Sequence, residues 1–247
     1  MPVGQIGPVR RAISLFDHPA PMTEELIREI ETRDDADALK ALVEAASVRD
    51  QFLRRIAIEV IGRHPMGRQS ANVILGALDD PSECVVRAAC DVVARWQLNE
   101  AHERVVAFLG NASKATRQVA LRALAAIWVD ADFPLVFGIL TNASEIEVRR
   151  EAAWVLRHRA TSLCWRTLFD VFRTDELARH RQWACELAGS FSGPDILQVL
   201  RKLSEDVDGH VRQAAMRQSK LFQAAKEASD TGWIGTSPSR APHRPGA

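Results

Sequence analysis

Apolar residues recur along this chain at three- and four-residue spacings, in short runs broken by Asp, Asn, Ser, Gly and Pro. That spacing puts each run on one face of an α-helix; a half-buried strand would instead alternate apolar and polar residues. The first run opens at Pro21-Met22-Thr23-Glu24-Glu25, a Thr cap followed by acids suited to the positive end of a helix, with Leu26, Ile27 and Ile30 on its apolar face. Six later runs share a figure anchored on an arginine: LRRIAIEVIG at Arg54, VRAACDVVAR at Arg87, TRQVALRALA at Arg117, VRREAAWVLR at Arg149, HRQWACELAG at Arg181 and VRQAAMRQSK at Arg212. Successive anchors lie 33, 30, 32, 32 and 31 residues apart. The third residue after each anchor is small (Ala57, Cys90, Ala120, Ala152, Ala184, Ala215), which lets neighbouring helices approach closely. The seventh is Ile61, Ala94, Leu124, Leu156, Ala188 and Ser219.

Each anchored run follows another short amphipathic run, beginning at Ala36, Ser70, Glu100, Asp132, Ser162 and Pro194. Between the two come turn residues: Asp79-Asp80-Pro81-Ser82, Gly110-Asn111-Ala112-Ser113, Thr141-Asn142-Ala143-Ser144 and Ser204-Glu205-Asp206. Neither helix of a pair can bury its stripe alone, whereas stacked pairs build one continuous core. The pattern therefore predicts an all-α fold, an α-solenoid of about six helical hairpins over residues 22–225. Ser219 and Lys220 weaken the last apolar face, as expected of a wetter terminal cap. Residues 1–21, with four prolines and two glycines, and the Gly-, Ser- and Pro-rich residues 226–247 are expected to be poorly ordered.

Charge and cysteine content narrow the function classes. Lys+Arg and Asp+Glu both number 32, so bulk charge favours neither nucleic acid nor an anionic membrane. No apolar run approaches the roughly 20 residues needed to span a bilayer, and residues 1–16 lack a secretory h-region. Cys84, Cys90, Cys164 and Cys185 form no CxxC pair; in helical contexts they read as small core residues in a reducing, cytoplasmic compartment. Phosphate loops, HExxH and nucleophile elbows are missing from the sequence.

The V-R-x-x-A-x-x-x-L second helix resembles the short HEAT repeats of proteins related to phycobilisome lyases, over about residues 36–222. The absence of tyrosine and of a T-P-L-H-x-A segment sets the chain apart from tetratricopeptide and ankyrin repeats. The resemblance implies an armadillo-type superhelix and a ladder in which a turn Asp meets the arginine six or seven residues later: Asp80 with Arg87, Asp175 with Arg181, Asp206 with Arg212. Asn111 and Asn142 stand where the acid is expected before Arg117 and Arg149, and Ser47 before Arg54 is a poor match.

Such arrays have several functions, which the fold does not choose between. HEAT-repeat hydroxylases hold di-iron with several His-Glu pairs, and His102-Glu103 is the one pair of that kind here. HEAT-like DNA glycosylases use an aspartate framed by aromatics, an arrangement that Trp165 and Asp170 resemble loosely. Bilin-lyase activity has support from the repeat type alone.

The remaining signal is a concentration of arginine and tryptophan. Residues 148–189 hold eight arginines against five acids, together with Trp154, Trp165 and Trp183, whereas residues 23–50 hold nine acids and four bases. In arrays of this kind the second helices line the concave face, and positions one, five and eight after the anchor point toward it. In the fourth hairpin these are Arg150, Trp154 and Arg157; Gln118, Arg122, Gln182, Glu186 and Arg217 occupy matching places. Trp and Arg are enriched at binding hot spots. The expectation is a non-enzymatic scaffold, without cofactor or metal, that binds a protein partner through Arg122, Arg150, Trp154, Arg157, Glu186 and Arg217. Nucleic-acid binding or repair and a bilin-lyase-like role are the alternatives.

Overall fold

A computed structural model of the chain describes residues 22–191 and 193–230. Among them there are thirteen α-helices and no strand. A lead-in helix, α1 (Glu24–Glu31), precedes six hairpins: α2 (Ala36–Ala45) with α3 (Gln51–Ile61), α4 (Ala71–Ala77) with α5 (Glu83–Trp96), α6 (His102–Phe108) with α7 (Lys114–Ala126), α8 (Phe133–Asn142) with α9 (Ile146–Arg159), α10 (Trp165–Phe172) with α11 (Ala178–Ala188), and α12 (Pro194–Leu203) with α13 (Gly209–Asp230). The chain divides into two compact units, Met1–Arg159 and Ala160–Ala247. The first holds four hairpins and the second two.

Helix starts follow side-chain chemistry. The Thr23 hydroxyl accepts from the Leu26 amide (3.2 Å), Asp35 from Ala38 (2.8 Å) and Asp50 from Phe52 (2.7 Å), each satisfying an amide that has no partner within its own helix. In the first unit α3, α5, α7 and α9 pack side by side in that order, each also against the first helix of its own hairpin; in the second, α11 packs on α13. The small residue after every anchor is wholly buried, at 0% exposure from Ala57 to Ala215, in keeping with helices packed at close range. Gly62 serves the same packing: a Cβ there would lie 2.4 Å from Val92 Cγ2, inside van der Waals contact.

The ladder is present, but its rungs run to the next hairpin. Arg54 Nη1 donates to the carbonyls of Val48 and Arg49 in its own turn, while its Nε and Nη2 form a fork onto Asp80 of the following turn (2.7 and 2.8 Å). Arg181 repeats this, with Asp175 and Glu176 carbonyls behind it and Asp206 ahead (2.7 and 2.8 Å). Arg117 holds the Asn111 and Ala112 carbonyls and pairs with Glu145. Asp80 thus belongs to Arg54 and Asp206 to Arg181, while Arg212 takes the Asp206 carbonyl, not its carboxylate. The turn acid sits beside the arginine stacked before it, so a pairing read within one repeat assigns the wrong partner.

Asn142 departs further from expectation. It ends α8, its Nδ2 donating back to the Gly138 carbonyl at 2.8 Å, and Glu145 three residues later supplies the rung. At the other end of the chain, α13 runs through Ala225 to Asp230, five residues into the stretch expected to be disordered. Lys226, Glu227 and Ala228 are good helix formers, so the helix continues past the last apolar position. The expectations for residues 1–21 and 231–247 lie outside the described residues.

Among the described residues, Arg87 makes no such rung. Asn111 Oδ1 accepts from the Ser113 amide at 2.7 Å, as Asp80 Oδ1 does from Ser82 at 2.8 Å, but it is neutral, and Arg87 reaches Glu83 on its own helix at 3.4 Å instead. Restoring the acid with Asn111→Asp is expected to stabilise the chain by about 1 kcal/mol. Urea denaturation at neutral pH measures it, and the gain should vanish in an Arg87→Ala background.

Candidate functional site

The face singled out by sequence is on α9. This helix buries Val148, Ala152, Ala153, Val155 and Leu156 and turns the opposite side outward. Arg150 is exposed, Trp154 is 42% exposed and Arg157 is half-buried. Their spacing of four and then three residues puts all three on one stripe. The exposure of Trp154 is unusual among the tryptophans of the second helices, since Trp96 and Trp183 retain only 8% and 7%. The His158 ring lies against Trp154 with centroids 4.6 Å apart, and His158 Nδ1 donates to the Trp154 carbonyl at 2.7 Å. The indole is thus flanked by a ring one turn on while much of it faces solvent.

Charge around this stripe is set by the neighbouring helix. Three bases of α7 take up the three acids just before and within the first two turns of α9: Lys114 meets Glu147 at 3.0 Å, Arg117 meets Glu145, and Arg122 meets Glu151 at 3.4 Å. Glu151 is partly buried, and burial lifts its carboxyl above the usual range against the pull of Arg122. Hydrogen bonds hold Glu147 below it, first from its own amide and then from Lys114. Arg150 makes no ion pair among the described residues; Glu147, one turn back, acts on it through space. Arg122 therefore belongs with the stripe, joined to it through Glu151, a residue that spacing did not single out.

Further along the same row, Arg55 pairs with Glu59 at 2.6 Å on α3, and Asp91 lies on α5. Burial pushes the Asp91 carboxyl up, with Arg122 drawing it back down. The first unit thus brings together Arg122, Arg150, Trp154 and Arg157. Glu186 and Arg217 lie on α11 and α13 of the second unit, where Glu186 is half-buried and accepts from Gln182 Nε2 at 3.5 Å, and Arg217 is exposed.

The other candidates dissolve into structural contacts. His102 is not a solvated surface group: its Nε2 donates to both oxygens of the buried Asp132 at 3.0 Å, tying α6 to the turn before α8. Asp132 also accepts from the Val129 amide. Asp170 is engaged by Arg166 at 3.3 Å and Arg173 at 3.2 Å, and Trp165 Nε1 donates to the Ala160 carbonyl, so the carboxylate is neutralised rather than framed by rings. No group of three or more His, Cys, Asp or Glu among the described residues could hold a metal ion. All four cysteines are free, and burial pushes the thiols of Cys90 and Cys185 up to about 12. No described helix is long and apolar enough to cross a membrane.

Comparison with known proteins bears on the fold. No family model matches the chain, and no curated protein matches it. Among solved structures, a designed armadillo repeat protein is similar at 17% identity and a TM-score of 0.53, covering 74% of this chain and 99% of its own. The archaeal HEAT-like repeats protein from Thermococcus onnurineus NA1 is similar at 12% identity and a TM-score of 0.52, covering 83% and 98%. The complex of CpcE and CpcF of phycocyanin lyase from Nostoc sp. PCC7120 is similar at 16% identity and a TM-score of 0.51, covering 90% and 97%. At such identities the likeness extends to the fold alone, an α-solenoid of the HEAT and armadillo kind.

Proposed function

We propose that this protein is a non-enzymatic scaffold that binds a protein partner on the solvent-facing side of its second helices, with the contact centred on Arg150, Trp154 and Arg157 of α9. One observation carries the reading: Trp154 is 42% exposed between two arginines, where the repeat places no demand for a large aromatic. A solvated indole is an unspent source of binding energy, and Trp and Arg are both enriched where truncation costs a complex most. Arg122 extends the same surface across α7; within the second unit, Glu186 and Arg217 are proposed as partner-binding residues in their own right. We place the proposed face on the concave side of the solenoid and the protein in the cytoplasm. Nucleic-acid binding is the less favoured reading, because α7 and α9 spend their opposite charges on each other.

The test is a triple replacement, Arg150→Ala, Trp154→Ala and Arg157→Ala, compared with the native chain in affinity capture followed by mass spectrometry. The partner captured by the native protein should be lost, a drop of at least about tenfold, with helicity and melting temperature nearly unchanged. Capture at native strength by the triple variant would remove the site.

A further inference from the structure

The charges around Trp154 also select among partners, an inference that rests on the α9 face being the docking surface. Glu145, Glu147 and Glu151 are already matched, by Arg117, Lys114 and Arg122 respectively. What α9 offers beside the exposed indole is therefore cationic: Arg150, four residues before it, exposed and in no ion pair among the described residues. A partner covering Trp154 takes water from the Arg150 guanidinium as well. A buried guanidinium without a counter-charge is costly, and a basic segment there would add repulsion.

We propose that this face docks an acidic peptide segment of the partner, with one carboxylate on Arg150 and an aromatic or large aliphatic side chain on Trp154. Helix geometry fixes the spacing within that segment. Arg150 and Trp154 are separated by four residues, roughly 6 Å along the helix axis. An extended peptide advances about 3.3 Å per residue, so the matching residues are two apart, acid–x–aromatic. The guanidinium can hold the carboxylate through two parallel N–H bonds, which a lysine cannot. The backing of the indole by His158 holds it in place for an incoming ring.

Fluorescence anisotropy on the full chain tests this with three labelled probes: a peptide of about twelve residues repeating Glu-Ser-Phe-Ser, the same peptide with Lys for Glu, and a DNA duplex. The acidic peptide should bind at least about tenfold more tightly than the basic one, and less tightly at high salt. Arg150→Glu and Trp154→Ala should each weaken it at least about tenfold, while Arg150→Lys keeps part of the affinity. Equal or tighter binding of the basic peptide would overturn the proposal. So would acidic-peptide binding that ignores Arg150→Glu, duplex binding tighter than that of the acidic peptide, or no binding at about 1 mM. If the triple variant loses its captured partner but the peptides are not told apart, the surface stands and the acidic class fails. If capture is unaffected by the triple variant, the surface itself fails.

Discussion

Replacing Arg181 with alanine is expected to destabilise the second unit by about 3 kcal/mol, more than any surface substitution on the same helix. The guanidinium makes four hydrogen bonds at once: two to Asp206 at 2.7 and 2.8 Å, and two to the carbonyls of Asp175 and Glu176, both at 2.9 Å. The pair is largely out of water, with 14% and 9% of the two side chains exposed. Alanine would strand the Asp206 carboxylate and leave two turn carbonyls short of a donor, which is where most of the loss arises. Lysine would keep the charge but could not hold the fork and the carbonyls together, so Arg181→Lys should recover less than half. The loss should also depend on pH. The Arg181 hydrogen bond holds the Asp206 carboxyl below its ordinary value, so its stabilisation is complete above the unfolded carboxylate pKa of about 3.9 and fades as pH falls through the lower folded value. Urea melts of the native and variant chains at neutral pH and at pH near 3 should therefore converge on acidification. A neutral-pH difference below about 1 kcal/mol would mean the rung is an ordinary surface pair.

That rung shows what a single sequence can and cannot specify here. The hairpins follow from local rules: a period of 30 to 33 residues seen in the helix order, caps such as Thr23 seen in its hydrogen bond, and small residues at Ala57 and its five equivalents seen in their burial. Choosing the partner of Arg181 is a different problem. Asp175 precedes it by six residues and Asp206 follows by twenty-five, and helical periodicity says nothing about which carboxylate stacking brings closer. The backbone of the Asp175 turn and the side chain of Asp206 share the arginine, so both spacings have a physical role, but only the second is an ion pair. Asn142 misled for a related reason: its side chain caps α8 instead of facing Arg149, and the acid of that turn, Glu145, pairs with Arg117 of the hairpin before. On α9 the stripe of Arg150, Trp154 and Arg157 was readable from spacing, because three- and four-residue steps decide which side chains share a face. Which of those charges are already matched was not, since Lys114 and Arg122 reach Glu147 and Glu151 from another helix. Trp154 and Trp183 looked alike as letters, and their registers against the anchor, five and two, carried one outward and one into the core.

Phe172→Ala is expected to cost the second unit about 4 kcal/mol. Phe172 has no exposed surface, and its ring lies 5.3 Å from that of His180 and 5.8 Å from that of Trp183. His180 is itself 2% exposed, with Nδ1 3.1 Å from Asp175 and its ring stacked on Trp183. Removing the phenyl ring would leave a cavity beneath a polar ring and beside the turn that anchors Arg181, so the transfer loss and the cavity cost add. With only two hairpins in this unit, there are few other layers to close over the gap. Thiol labelling with site-by-site mass spectrometry provides the readout. In the native chain Cys185 and Cys90 are wholly buried with thiols pushed up to about 12, so both should be nearly inert at pH 8. In Phe172→Ala, Cys185 should label much faster through opening of the second unit, because an opening free energy lowered by about 4 kcal/mol raises the open population by about three orders of magnitude. Cys90, in the first unit, reports whether that opening spreads. Acceleration at Cys185 alone would make the two units separate cooperative blocks, as expected where stability is a sum of nearest-neighbour terms; equal acceleration at both would make the array unfold as one. Native-like protection of Cys185 would mean that the neighbours of Phe172 collapse into its place, and the cost would then fall toward the transfer term alone.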